Sequence, residues 1–269
     1  MSTYSKEHIN YLKKMKKNKR FISFFQILII VVFLITWEIL SRLELINTFL
    51  SSSPSKVLTT AIGLIKDGTL FTHIGVTLYE VIASFMIASI IGFIISIISW
   101  SNKTIAKIVD PYITILNSLP KVALGPLIII WVGASINSII FMALLISTFV
   151  TIITIYQGFS RTNTKYIMLL KTLGATKKQI FLKAVLPSNI PTLISALKIN
   201  ISMSLIGVIM GELLVSKSGL GYLIMYGSQV FNIDLVITGV VILGMISYLM
   251  YVIVDLVERK TKKKMGMNN

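Results

Sequence analysis

No cysteine occurs among the 269 residues, so disulfide bonds, thiolate metal sites and a cysteine nucleophile are all excluded. Histidine is almost as scarce, because His8 and His73 are the only two and lie far apart in the chain. A metal site built from histidine is therefore not expected. Acidic residues are also few, 10 against 26 lysines and arginines, which leaves a formal net charge of +16.

The excess of positive charge is typical of a nucleic-acid-binding protein only where the basic residues cover a soluble surface. Here they stand between long apolar runs, since 55% of the residues are hydrophobic, 13% are charged and the mean hydropathy is +0.84. This composition predicts a polytopic membrane protein surrounded by lipid, with no nucleic-acid partner. The lysines that flank the apolar runs are expected to set the topology.

Six apolar stretches predict transmembrane helices, because each is bounded by polar residues and most reach the length needed to cross a bilayer. They lie at residues 21–40, 74–100, 122–131, 138–157, 192–214 and 235–256. The third stretch is short and rich in proline, so a broken helix from Pro111 is expected to extend it backwards. The sequence predicts an all-α membrane domain over residues 21–257, with basic tails at residues 1–20 and 258–269.

Basic residues mark one side of the predicted membrane domain. With six spans both tails fall on the same side, together with the turn that holds Lys103 and Lys107 and with a basic segment at residues 161–187. Cytoplasmic loops carry the excess of lysine and arginine in membrane proteins. We therefore predict a multi-pass protein of the inner or plasma membrane with both termini in the cytoplasm.

The stretch YIMLLKTLGATKKQIFLKAVLPSNIP, residues 166–191, is the only long amphipathic and strongly basic interruption between the spans. Gly174 is expected to divide it into two short helices, which Pro187 and Pro191 then end. An amphipathic helix in the cytoplasm is suited to enter a groove on a soluble partner. No GxxxxGK[ST] loop occurs in the sequence, so ATP chemistry is expected on another chain.

Three motifs carry a resemblance to a known family. Residues 173–187, LGATKKQIFLKAVLP, resemble the EAA motif, the cytoplasmic loop of ABC-importer permeases. DPYITILNSLPKVALGPLIIIWVG and GELLVSKSGLGYLI are similar, more narrowly, to the nitrate/sulfonate/taurine/bicarbonate permeases, and the likeness runs from Ser52 to Glu258. It implies a type I, MetI-like permease fold, a homodimer, cytoplasmic ABC ATPase subunits and an extracellular or periplasmic solute-binding protein.

The same resemblance implies the import of a small solute, such as a nitrate-, sulfonate- or taurine-like anion or a related small molecule. It implies neither an enzymatic activity of the chain itself nor a cofactor. The Glu-Ala-Ala triplet of the motif would fall at Met168, Leu169 and Leu170, so its acidic residue is missing here. We therefore expect an apolar contact with the ATPase, in which the lysines set orientation.

Eight residues are predicted to couple the permease to the ATPase, because they match the motif or surround its glycine. They are Met168, Leu169, Leu170, Leu173, Gly174, Ala175, Leu186 and Pro187. Met168 to Leu173 supply the apolar contact, and Gly174 allows two short helices to lie parallel to the membrane.

A small polar face is predicted on the fifth span, where Asn200, Ser204, Gly207 and Gly211 follow helical spacing. The face is either a packing seam between helices or the wall of a translocation path shared by two copies. Glu212 follows it and has three possible roles: holding the SKSGLGYLI loop by hydrogen bonds, lining the path or relaying protons. The relay is the least favoured role, because no second intramembrane acid or histidine is expected beside Glu212.

Two other classes of protein remain open at this point. A stand-alone secondary transporter or channel needs ion sites within the membrane, and the sequence offers only Glu212 for one. A membrane-embedded enzyme needs paired carboxylates, a histidine cluster or an activated nucleophile within the spans. None of these is expected from the sequence.

Overall fold

A computed structural model describes residues 6–264 of the protein, and α-helices dominate that range. One 3₁₀ turn at Lys121–Leu124 and one π-helical turn at Phe181–Val185 interrupt the helices. In chain order the helices are α1 Lys6–Arg42, α2 Thr48–Ser51, α3 Pro54–Lys66, α4 Thr69–Ser101, α5 Lys103–Ser118, α6 Gly125–Val132, α7 Ile136–Ser160, α8 Thr164–Thr172, α9 Lys177–Ile180, α10 Leu186–Ser188, α11 Ile190–Val215, α12 Leu220–Gln229 and α13 Ile233–Lys264.

The helices confirm the prediction of an all-α protein with about six spans. Within the described range, five helical stretches are long and apolar enough to cross a membrane, and a bent pair of helices can form the sixth. The five are Arg20–Arg42, Thr69–Ser101, Ile136–Ser160, Ile190–Val215 and Ile233–Lys262. The bent pair consists of Lys103–Ser118 and Lys121–Val132, which meet at an angle of 84°.

The break in the bent pair lies later in the chain than Pro111, where the broken helix was expected to begin. Pro111 lies inside α5, whereas Leu119 adopts an extended conformation with φ −61° and ψ 142°. Leu119 precedes Pro120, and the ring of a proline disfavours a helical conformation of the residue before it. The chain therefore turns at Leu119 and Pro120, and a second proline, Pro126, then stands in the first turn of α6.

Residues up to Gly63 form one compact unit, and residues from Leu64 onward form another. In the first unit Glu38 joins the end of α1 to the beginning of α3. Its carboxylate accepts hydrogen bonds from Arg42 Nε at 2.7 Å and from the backbone N–H of Ser55 at 3.1 Å.

Helix α1 continues without a break across residues 20 and 21, as α13 does across residues 257 and 258. The limits of the two tails remain predictions, and residues 1–5 and 265–269 lie outside the described range.

The second unit is built around α4, α7 and α11, with α13 beside them. One apolar cluster joins all four helices through Val81, Ile139, Ala143, Leu205, Val208 and Met250. Glycine allows the helices to approach, since a Cβ on Gly92 of α4 would lie 3.0 Å from the Cβ of Thr151 on α7. Inside a bilayer the hydrophobic effect does not drive helices together, because lipid tails are as apolar as the side chains. Close packing of small residues drives their association instead.

The basic segment ends between Pro187 and Pro191, the two prolines that were predicted to end it. Pro187 lies inside a continuous helical stretch, since the π-helical turn Phe181–Val185 runs directly into α10. Pro191 stands in the first turn of α11, where a missing N–H leaves no helical hydrogen bond unmade. A single residue, Asn189, with φ −104° and ψ 5°, separates α10 from α11. The segment is thus connected to α11 almost without interruption.

Candidate functional site

Gly174 separates the two halves of the segment, as the sequence predicted. Its φ of +75° is a left-handed conformation that residues with a side chain rarely adopt. The backbone N–H of Ala175 reaches back to the carbonyl of Leu170 at 2.9 Å and closes the end of α8. Thr176 and Gln179 then form a reciprocal capping box that begins α9, a T-x-x-Q signal that is readable in the sequence.

Three of the predicted coupling residues form an exposed apolar ridge, which we define as Met168, Leu169 and Leu173. Their exposed fractions are 66%, 58% and 73%. Leu170 lies on the opposite side of α8, where it packs against buried apolar residues. The coupling residues that the sequence motif grouped together therefore fall into two sets in the structure, an exposed ridge and the inward-facing Leu170.

The other predicted coupling residues also divide between the two sides. Ala175 and Leu186 pack inward with Leu170, whereas Pro187 is exposed. Leu170, Ala175 and Leu186 pack against a second apolar cluster, which is made of Ile155, Phe159, Ile180, Phe181, Val185 and Ala196. We call it the anchor cluster, because it joins the second half of the segment to α7 and α11.

Aromatic rings make the anchor cluster a firm contact. The ring of Phe181 in the segment lies 5.3 Å from that of Phe159 on α7, edge to face. It also lies 5.2 Å from the ring of Trp100 on α4. Phe159 and Val185 are almost fully buried. The segment is therefore bound to two long helices of the membrane domain through ring contacts of the favourable kind.

The small polar face of α11 is closed within a single chain. Asn200 is fully buried, and its side-chain amide donates hydrogen bonds to Ser89 Oγ at 2.7 Å and to the Phe85 carbonyl at 3.2 Å, both on α4. Ser204 is also fully buried, and its hydroxyl lies 3.4 Å from the Asn200 side-chain oxygen. All four residues are buried on α11 and face neighbouring helices.

The two glycines of this face allow α7 to approach closely. A Cβ on Gly207 would overlap with the backbone of Ala143, and one on Gly211 would lie 2.9 Å from Ile139 Cα. Backbone atoms cannot swing aside as the end of a side chain can. The geometry at these positions is that of a packing seam, the first of the two alternatives drawn from the sequence.

Glu212 is buried at the junction of α4, α11 and α12. Its Oε1 accepts a hydrogen bond from Thr77 Oγ1 at 2.6 Å, and its Oε2 accepts one from the backbone N–H of Gly221 at 2.5 Å. Gly221 belongs to the SKSGLGYLI loop, which the carboxylate was expected to hold. A Cβ on Gly221 would lie only 2.7 Å from the Cβ of Glu212, so glycine is needed for this approach.

The expectation that no second acid or histidine accompanies Glu212 was wrong. Glu80 on α4 is buried, and it lies one helical turn after Thr77, whose hydroxyl donates to Glu212. His73 lies one turn earlier on α4 than Thr77 and accepts a hydrogen bond from the N–H of Gly219 through Nδ1, at 3.0 Å. Glu80 is an acidic residue within the second apolar stretch, residues 74–100, so the sequence itself contained the signal.

A polar cavity of about 440 Å³ lies where α7, α8, α10 and α11 meet. Hydroxyl and amide side chains line most of it, and Arg161 is its one cation among residues 6–264. No acidic side chain of the described range borders it. Asn189 forms part of the wall and is fixed by a hydrogen bond from its Nδ2 to Thr162 Oγ1 at 2.7 Å. No group of three or more potential metal ligands occurs within the same range.

Solved structures of other proteins share the fold of this chain. Two inward-facing structures of the MetNI methionine ABC transporter match the chain with TM-scores of 0.64 and 0.65, at 22% and 20% identity. They cover 71% and 72% of this chain and 95% and 97% of theirs. The fold is that of the MetI-like ABC importer permeases, as predicted.

The chain belongs to the family described as binding-protein-dependent transport system inner membrane component, whose profile matches residues 88–263. The formylaminopyrimidine transport permease protein ThiX of Halalkalibacterium halodurans is 30% identical over 195 residues, 72% of this chain and 77% of its own. The putative aliphatic sulfonates transport permease protein SsuC of Bacillus subtilis is 26% identical over 258 residues, 96% and 94% of the two chains. The taurine transport system permease protein TauC of Escherichia coli is 24% identical over 224 residues, 81% and 82%.

Membership of this family confirms the functional class predicted from the sequence. The protein is the multi-pass inner-membrane permease of a binding-protein-dependent ABC importer. It is a transport subunit and not an enzyme, and the ATPase is a separate subunit.

Proposed function

We propose that the exposed ridge Met168, Leu169 and Leu173 docks an ABC ATPase subunit on the cytoplasmic side and that this contact drives uptake of a small solute. The observation that carries the proposal is the exposure of three large apolar side chains beside a firmly buried half-segment. A short helix with an apolar face is suited to a groove on a partner. The absent acidic residue of the motif agrees with an apolar contact.

The proposed route of coupling runs through the anchor cluster. Movement of α8 is passed inward by Leu170, which packs against that cluster. Phe181 and Val185 in turn contact α7 and α11, so both long helices follow the segment. In this scheme Gly174 sets the angle between the two halves, and the residues on either side of it have different tasks.

The proposal includes two copies of the chain and both termini in the cytoplasm, as the distribution of basic residues suggests. It assigns Asn200, Ser204, Gly207 and Gly211 mainly to holding α11 against α4 and α7. A role of these residues or Glu212 in lining the translocation path requires the seam to open during transport. Accessibility of cysteines introduced at residues 200 and 204, with and without nucleotide-bound ATPase, distinguishes a closed from an opening seam.

The proposed substrate is a small organic solute with an anionic or strongly polar group. The relatives are named as permeases for a formylaminopyrimidine, for aliphatic sulfonates and for taurine, all of them small polar molecules. The cavity beside the segment supports this choice, because Arg161 and neutral hydrogen-bonding groups line it. Identification of the ligand that the cognate solute-binding protein carries tests this part directly, since that protein is expected to set specificity.

The docking proposal is tested with Leu173→Asp and its apolar control Leu173→Met in the assembled transporter. An aspartate on the ridge is expected to weaken ATPase association at least tenfold, as removal of an interface hot spot does. The methionine variant keeps the apolar surface and is expected to retain association and uptake. Because Leu173 is largely exposed, both variants are expected to keep the melting temperature of the wild-type permease.

Unchanged association and transport in Leu173→Asp would refute the docking role of the ridge. Leu170→Asp is a poorer probe, because Leu170 packs against the anchor cluster and its loss also destabilises the permease. The two parts of the proposal are tested separately, because a neutral substrate would contradict the substrate proposal and leave the docking of the ATPase unaffected.

A further inference from the structure

The N-terminus of α12 is held by side chains from two other helices. The backbone N–H groups of Gly219, Leu220 and Gly221 donate to His73 Nδ1 at 3.0 Å, Thr77 Oγ1 at 2.8 Å and Glu212 Oε2 at 2.5 Å. The first N–H groups of a helix have no partner within the helix. Here three successive groups find partners on α4 and α11, which fixes α12 to both.

The two oxygens of Glu212 are surrounded by donors. One faces the hydroxyl of Thr77 and the other the N–H of Gly221 at the start of a ten-residue helix. The positive end of the helix dipole and hydrogen bonds from O–H and N–H groups all favour a negative charge. Thr77 cannot readily reverse its role, because its oxygen already accepts the N–H of Leu220.

Glu80 has the opposite surroundings. One of its oxygens, Oε2, is buried without a hydrogen-bond partner within the described part of the chain. Glu80 stands one turn after Thr77 on the same side of α4, which places its carboxyl group beside that of Glu212. A hydrogen bond between the two carboxyl groups would require a proton on one of them. A second buried charge beside Glu212 would be strongly unfavourable in a medium of low dielectric constant.

We propose that Glu80 and Glu212 form a buried site for a single proton, in which Glu80 carries the proton and Glu212 carries the charge that holds α12. Glu80 then donates to Glu212, and all three donors around Glu212 point at a carboxylate. His73 and Tyr222 are the neighbouring titratable groups on α4 and α12, with rings 5.9 Å apart. His73 accepts a hydrogen bond through Nδ1, so its imidazole is neutral in this arrangement.

The proposal makes the two glutamates unequal, although both are buried acids on the same junction. In Glu80→Gln the side-chain amide still donates to the carboxylate of Glu212, so the junction is kept. In Glu212→Gln the amide nitrogen faces one of the two donors, and a buried N–H or O–H loses its acceptor. Loss of that acceptor is expected to lower the melting temperature by about 5 °C, whereas Glu80→Gln is expected to leave it unchanged.

Infrared spectroscopy of the purified full-length permease locates the proton directly. The wild type is expected to show the C=O stretching band of one buried protonated carboxylic acid. Because the acid is buried, the band is expected to shift only slowly after transfer into D₂O. Glu80→Gln is expected to remove this band and Glu212→Gln to retain it. The control Asp67→Asn changes an exposed acid outside the spans and is expected to alter neither the band nor the melting temperature.

Retention of the band in Glu80→Gln, or its absence from the wild type at neutral pH, would overturn the proposal. A band lost in Glu212→Gln and kept in Glu80→Gln would also overturn it, because the proton would then be on Glu212. If Glu212→Gln yields no folded protein, the result for Glu80→Gln decides by itself. None of these outcomes depends on the proposed docking of the ATPase, since no partner is present in the measurement.

Discussion

Substitution of Gly207 by alanine tests the close approach of α7 and α11. The added Cβ would lie 3.1 Å from the Cβ of Ala143 and 3.2 Å from its backbone nitrogen, and would overlap with its Cα. Replacing glycine in a helix gains about 0.5–1 kcal/mol, because alanine loses less backbone entropy on folding. Overpacking costs about 1–3 kcal/mol, and the upper end applies here because the obstacle is backbone. The net loss is about 2 kcal/mol.

A loss of this size is expected to lower the melting temperature by about 4–8 °C in a chain of this length. Gly75→Ala is the matched control, since Gly75 lies in α4 and a Cβ there meets no atom within 4 Å. The control is expected to keep or slightly raise the melting temperature. Thermal unfolding of both variants in the same detergent gives the comparison. Equal melting temperatures would show that α7 and α11 are not in contact at Gly207.

Three further substitutions test the rest of the structure. Asn200→Ala leaves Ser89 and a backbone carbonyl without their hydrogen-bond donor, so denaturant titration is expected to show a loss of about 1–3 kcal/mol in the free energy of unfolding. A loss near zero would mean that water reaches the seam and replaces the donor. Phe159→Ala removes the centre of the anchor cluster, and a loss of about 3–5 kcal/mol is expected, with Phe159→Leu less affected. In Gly174→Ala the added Cβ meets no atom, so the expected cost of about 1–2 kcal/mol comes from the left-handed backbone conformation alone. Asparagine adopts that conformation more readily than alanine, so Gly174→Asn is expected to retain more ATPase coupling. Equal coupling in the two variants would show that the positive φ of Gly174 is not needed.

Local patterns were sufficient for much of the fold. Uninterrupted apolar runs identify the spans, because a bilayer demands a certain length of apolar helix. Gly174 was placed correctly as a break, since glycine is the residue that reaches a left-handed conformation without strain. Proline was less informative. Pro111 and Pro187 stand inside helical stretches, and only the extended residue before Pro120 interrupts a span.

The candidate site was predicted less completely, because its parts come from separate helices. Thr77 and Glu212 form a hydrogen bond across 135 positions of the chain. Glu80 is visible in the sequence as an acid within an apolar run, but its partner is not. Lys198 shows the same limit, since it pairs with Asp255 on α13 at 2.6 Å, 57 positions away.

The sequence by itself determined that this protein is a helical membrane protein with a basic amphipathic segment and no ATPase motif of its own, whereas the permease function was implied by the resemblance of its motifs to a known family. Length, apolar content and residue spacing settle those features, because each depends only on neighbours along the chain. The tertiary structure decided which sides of the helices are buried. Apolar residues surround most of a span, so spacing does not distinguish a side that meets another helix from one that meets lipid. Only packing turned Leu170 inward, left Leu173 exposed and brought Glu80 to Glu212.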